Sequence, residues 1–171
     1  MNKKENVSTN VLLLVQAAMI AALYVILTYI ANALGLANHA IQIRFSEALT
    51  VMPYFTPAAI PGLFVGCLLS NILTGCAVPD IIFGSLTTLI AAIFTYKMRK
   101  FKWMASFPPI IANTLVVPFV LLSAYGIRPL WLSFVTVGIG EIISCGILGM
   151  LLLSALSKYR GRLFPVSYQN S

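Results

Sequence analysis

Residues 48–79 read ALTVMPYFTPAAIPGLFVGCLLSNILTGCAVP, thirty-two positions without a charged side chain. As one α-helix this stretch would run roughly 48 Å, well beyond a hydrocarbon core of about 30 Å. Pro53, Pro57 and Pro61 all fall in its first half, and each disfavours helix in the residue before it. The stretch therefore divides into a short helix over 46–55 and a longer one over 58–75. Lipid is the solvent in which such a run is stable.

The remaining chain follows the same rule. A crossing needs about 20 apolar residues, and 11–34, 104–125 and 130–157 each supply one. The run over 80–96 is shorter and becomes adequate with the turn before it. Of the 171 residues, 60% are hydrophobic and 9% charged, with a mean hydropathy of +0.95. That is too little charge to make a soluble surface. The expected architecture is an all-α integral membrane protein. A single domain over 1–171 would carry six transmembrane helices, the second of them short.

The net charge of +7 does not indicate nucleic-acid binding. Lysine and arginine fall in three groups at the ends of apolar runs: Lys3 and Lys4; Lys97, Arg99, Lys100 and Lys102; and Lys158, Arg160 and Arg162. Cytoplasmic anchoring predicts this placement. Parity then supports six crossings: counting the short helix, four separate the first two groups and six bring the third to the same side. Both termini are expected in the cytoplasm, with the protein multi-pass in the cell membrane. Lys3 and Lys4 before an apolar run also suggest a signal peptide, but Val11–Leu36 is 26 uncharged residues, too long for a cleavable one.

This topology assigns a depth to each polar residue. His39, Gln42, Arg44 and Glu47 fall on the outer loop or the outer start of the second segment. Asn71 and Thr74 end the third, Asp80 opens the fourth, and Arg128 precedes the sixth. Glu141 is mid-membrane, where a charge costs about 2.5–3.5 kcal/mol and needs a partner, water or ligand. Glu47 after Ser46 and Asp80 after Pro79 also suit ordinary helix starts.

Asp80, Gly84, Thr87, Thr88 and Ala91 share one helix face, as do Cys67, Asn71 and Thr74. Asn113 is a further amide within an apolar run, with Pro118 after it. Small residues recur at four-residue spacing in Ala17–Ala21, Ala18–Ala22 and Ala58-Gly62-Gly66-Ser70, a pattern that lets helices approach closely. The second stripe reads as internal packing; the alanines suit either a neighbouring helix or another subunit.

Enzyme chemistry finds little support. One histidine excludes a two-histidine metal motif, one aspartate an aspartyl dyad, and neither a P-loop nor a G-x-S-x-G elbow is present. Cys67, Cys76 and Cys145 lack metal-pair spacing, and Cys67 and Cys145 read as small buried residues. No cofactor or metal is expected.

Several blocks together resemble the queuosine-precursor transporter family (QueT): Gln42-Ile-Arg-Phe-Ser-Glu-Ala-Leu-Thr50, Pro57-Ala-Ala-Ile-Pro-Gly62, Gly66-Cys-Leu-Leu-Ser-Asn71, Asp80-Ile-Ile-Phe-Gly-Ser85 and Gly138-Ile-Gly-Glu141. The first and fourth are the most specific. The resemblance implies a substrate-binding S component of an energy-coupling factor transporter. Its partners would be a transmembrane coupling subunit and two ATPases, and Ala17, Ala18, Ala21 and Ala22 would face the coupling subunit. The implied substrate is a deazaguanine base. Its aminomethyl form carries a cation and a guanine-like donor edge, and carboxylates pair with both. Glu47, Asp80 and Glu141 are the candidates, with Asn71, Asn113 and Gln42 for the carbonyl and ring nitrogens and Arg44 for ordering the outer loop. Which acid meets which edge stays open. So do an S component for another vitamin-like solute, a stand-alone ion-coupled carrier relaying through Glu141, and a regulatory membrane subunit.

Overall fold

A chain that buries its backbone polar groups in lipid must satisfy them within its own segments, which favours helices. In the computed structural model, residues 3–36 and 43–164 are described, and among them all regular structure is helical. Helix α1 spans Lys3–Ala33. A 3-10 helix, Phe45–Tyr54, follows, then α2, Ala59–Leu73. A π-helical turn, Asp80–Gly84, leads into α3, Ser85–Lys97. Helix α4 is Phe107–Tyr125. The last long helix is built of α5, Leu130–Glu141, a π-helical stretch Ile142–Gly149, and α6, Met150–Ser157. A single turn, α7, covers Arg160–Leu163.

Among the described residues, four helices are long and apolar enough to cross a membrane: Thr9–Ala33, Asp80–Lys97, Lys102–Tyr125 and Leu130–Ser157. Helix α2 lies within the expected 58–75; it has 15 residues and reaches about 22 Å. Chain chemistry sets both ends. Pro61 is tolerated only because it lies in the first turn. At the other end Gly75 adopts φ +73°, which a side chain would resist. The Cys76 N–H then closes back on the Asn71 carbonyl at 3.0 Å.

The short second segment is a 3-10 helix rather than an α-helix, with Pro53 inside it. Proline removes one α-type hydrogen bond and crowds the carbonyl four residues back, which tighter winding avoids. Ten residues at about 2.0 Å each reach only about 20 Å. Ser46 to Pro53 are all buried, so this segment touches protein on every side. It packs against α1, α2, α3, α6 and the π-helical stretch 142–149. Its entrance is fixed where the Arg44 N–H donates to Ser144 Oγ, 3.2 Å.

The bundle keeps polar side chains inside and turns large apolar ones outward. Leu14, Met19, Ile26, Phe83, Phe94, Leu115, Phe119 and Leu151 are exposed, whereas Gln16, Glu47, Thr50, Asn71, Asp80, Thr88, Asn113 and Glu141 are buried. Only a lipid-facing exterior makes that distribution stable. The chain is thus a multi-pass membrane protein.

The two ends differ. Near the basic clusters, Val51, Met52, Phe55, Leu63, Leu153 and Phe164 form an apolar core. Phe55 stacks on Phe164 with ring centres 5.2 Å apart. Gln16 ties this end together, accepting from Thr56 Oγ1 and donating to the Leu163 carbonyl, both at 3.0 Å. At the opposite end, where α1, α2 and α4 finish and α3 begins, the interior opens into a polar cavity.

Helices α1 and α2 approach unusually closely. A Cβ built on Gly62 would sit 2.7 Å from the Ala17 carbonyl oxygen, and one on Gly66 2.7 Å from Tyr24 Cβ. The glycines therefore serve internal packing. Gly66→Ala must push α1 away and should cost about 1–3 kcal/mol. It is expected to lower the thermal midpoint of detergent-purified protein, whereas Gly161→Ala, with no atom within 4 Å of the new Cβ, should leave the midpoint unchanged. Equal midpoints would show that the contact is slack.

Candidate functional site

The polar interior has two chambers. The outer has a volume of about 440 Å³ and is lined by Thr28, Asn32, Arg44, Asn71, Asp80 and Tyr125, among others. The inner is far smaller, about 20 Å³, with Glu47, Thr88, Asn113 and Glu141 in its walls. Arg44 and Asp80 line both. A volume of a few hundred cubic ångströms suits a small organic ligand, and room for one water-sized group suits a single polar substituent.

The inner chamber is built from four directions. The 3-10 helix delivers Glu47, which is 3% exposed. From α1, Tyr24 donates its hydroxyl to Glu47 Oε1 at 2.5 Å. From α4, Asn113 Nδ2 donates to Glu47 Oε2 at 3.3 Å. Glu141 arrives at the junction between α5 and its π-helical continuation, 8% exposed. Cys145 Sγ donates to Glu141 Oε2 at 3.1 Å and lies 3.4 Å from Thr50 Oγ1. One ligand atom from each of Glu47, Glu141 and Cys145 falls within 4.8 Å of the others. Two full carboxylate charges at that separation repel by about 3–4 kcal/mol at an effective dielectric of about 20. The arrangement therefore favours a positively charged occupant.

The outer chamber is organised around Asp80. Its Oδ2 receives the Tyr125 hydroxyl at 3.4 Å, and Tyr125 Oη in turn accepts the Ala77 N–H at 3.0 Å. Asn71 Nδ2 donates to the Asp80 carbonyl at 3.4 Å. The π-turn at Asp80–Gly84 carries Asp80 at the mouth, and such turns recur at functional sites. Arg44 is half-buried, and its guanidinium makes no ion pair with a described residue.

Of the residues singled out in the sequence, the fold brings Arg44, Glu47, Asp80, Asn113 and Glu141 around the inner chamber, and Arg44, Asn71 and Asp80 around the outer. Gln42 and His39 lie outside the described residues. The four alanines are elsewhere, on α1. Ala21 is buried and Ala17 half-buried against α2, while Ala18 and Ala22 are exposed. Tyr24 and Tyr125 escaped sequence reasoning, as did Cys145 as a partner of Glu141. The available signal was a phenol inside an apolar run, since a buried tyrosine hydroxyl usually finds a partner.

Residues 14–158 match the family described as QueT transporter. The chain belongs to the QueT transporter family. Among curated relatives, the queuosine precursor transporter QueT of Lactococcus lactis subsp. cremoris (strain MG1363) is 39% identical over 77 residues. That alignment covers 45% of each chain, so it spans less than half of the relative's length. No solved structure matches.

Tyr24→Phe removes one donor from a buried carboxylate. The variant should lose about 1–3 kcal/mol of stability, read as a lower thermal midpoint in detergent. An unchanged midpoint would mean that another donor substitutes for the phenol.

Proposed function

We propose that this chain captures a queuosine precursor, a deazaguanine base, as the S component of an ATP-driven energy-coupling factor importer. The polar cavity in an otherwise lipid-facing bundle carries the reading: three buried acids and two amides line a space sized for a small heterocycle. The name of the Lactococcus relative supports the substrate class. Glu47, Asp80, Glu141, Asn71, Asn113 and Arg44 form the binding set, with Gln42, two positions before Arg44 in the sequence, as a further member.

In this reading the chain is one membrane domain with six helical passes. The 3-10 helix and α2 run through the bundle where neighbouring helices, rather than lipid, cover the shorter of them. Lys97, Arg99, Lys100, Lys102, Lys158, Arg160 and Arg162 lie at the end away from the cavity, which supports cytoplasmic termini and a cavity open to the outside. Energy comes from partners, a coupling transmembrane subunit and two ATPases. An apolar groove of about 560 Å³ lined by Ala17, Ala18, Ala21, Pro57 and Gly62 supports α1 as the face toward the coupling subunit.

Binding to purified protein tests the capture role directly. Aminomethyl and cyano deazaguanines are presented alongside guanine and thiamine. Selective binding of a deazaguanine is expected, and Glu47→Gln should weaken the better ligand by at least about tenfold. Folded protein that ignores every deazaguanine would overturn the substrate assignment. In cells, uptake should collapse on ATP depletion and survive a protonophore; the reverse would indicate an ion-coupled carrier.

A further inference from the structure

The two chambers differ in how much hydrogen-bonding capacity they leave free. At the inner end both Glu47 oxygens are engaged, one by the Tyr24 phenol and one by the Asn113 amide. A planar amidine edge, such as the N–H and amino group of a guanine-like ring, pairs with a carboxylate through two parallel bonds. To use Glu47 in that way it would have to displace both existing donors. It would also have to bring a ring into a space of about 20 Å³. An ammonium has neither difficulty. It is a compact point charge with three donors that can reach the remaining lone pairs of Glu47 and Glu141. It also relieves the repulsion between two buried carboxylates, which a neutral group leaves in place.

The outer chamber is the converse. Among the described residues the Asp80 carboxylate accepts a single hydrogen bond, at 3.4 Å from Tyr125, so it keeps capacity for a two-point contact. About 440 Å³ around it admits a bicyclic ring. Asn71 and Asn32 offer amides on the same walls, and the guanidinium of Arg44 lies between the chambers as a donor for a ring carbonyl.

We infer that the ligand enters amine first: an alkylammonium arm occupies the Glu47–Glu141 pocket while the donor edge of the ring is read by Asp80 in the outer chamber. This rests on the deazaguanine reading above and assigns each acid its part. The inner pocket is then the specificity element, selecting a cationic methylamine arm over a neutral arm of similar length and over a bulky cation. A nitrile supplies neither a donor nor a charge to the two carboxylates, for which Arg44 is the one cation among the described lining residues. A trimethylammonium supplies charge without N–H groups and exceeds the space.

The test compares three ligands on full-length purified protein by calorimetry: the aminomethyl deazaguanine, the cyano deazaguanine, and the aminomethyl compound trimethylated at its amine. Wild-type protein should prefer the amine over the nitrile by at least about thirtyfold and reject the trimethylated cation. In Glu141→Gln the amine-to-nitrile preference should shrink at least tenfold. Asp80→Asn should weaken both ligands by similar factors and leave that preference standing. Comparable affinities for amine and nitrile in the wild type, or tight binding of the trimethylated ligand, would overturn the orientation while leaving deazaguanine capture intact. That wild-type comparison holds even if a variant misfolds. Folded wild-type protein that binds none of the three would remove the substrate reading and the orientation together.

Discussion

A carboxylate buried at the centre of a lipid-soluble bundle has to be surrounded by donors, and Glu47 imposes that requirement on nearly every element of this fold. Tyr24 from α1 and Asn113 from α4 converge on its oxygens. Its own carbonyl is met by Thr50 Oγ1 at 2.6 Å and by Cys145 Sγ at 3.4 Å. The donors come from separate segments, so satisfying one side chain fixes the mutual position of α1, α4, the 3-10 helix and the π-helical stretch after α5. Leaving such a group unpaired costs about 1–3 kcal/mol and more when it is charged. The close α1–α2 contact belongs to the same requirement, since Gly66 leaves room for the backbone that carries Tyr24.

Much of this was legible in the sequence, and the reason is the cost of polarity in lipid. A charge or amide inside an apolar run has few bland explanations, so Glu141, Asn113 and Asn71 are conspicuous in the sequence itself. The placement of helices followed from where charges and prolines interrupt apolar runs. Other features left no such mark. Whether residues 45–54 wind as 3-10 or α depends on what packs around Pro53, which periodicity does not report. Tyr24 looks like one more large residue in a hydrophobic helix until Glu47 is seen beside it. Helix α2, Ala59–Leu73, by contrast falls within the expected 58–75, because proline and glycine, which mark its two ends, are visible in the sequence.

The small-residue stripes illustrate how a pattern can be right and its use ambiguous. Spacing four apart indicates close approach but not the partner. On α2 the stripe faces α1, and on α1 the two alanine pairs divide, Ala17 and Ala21 turning toward α2 and Ala18 and Ala22 outward. One helix thus presents a tight internal seam and, about 100° around its axis, a smooth external strip. Composition alone makes these two surfaces look identical.

The π-helical stretch Ile142–Gly149 gives the last helix an unusual relation to chain length. A π-turn carries one residue more than the α-helical turn it replaces, and each α-helical residue turns the chain by about 100°. Excising one residue between Glu141 and Met150 would restore regular winding and leave the flanking helices close to their present register, while the side chains inside the stretch turn by up to roughly that angle. Leu153, wholly buried in the apolar core, would keep its place, while Cys145 would be turned away from Glu141 and from the Glu47 carbonyl. Single-residue insertions and deletions are usually tolerated in loops, but here a helix interior is where the residue count matters most. Among relatives of this chain, a one-position gap in this stretch would signal a re-aimed pocket rather than a neutral change in length.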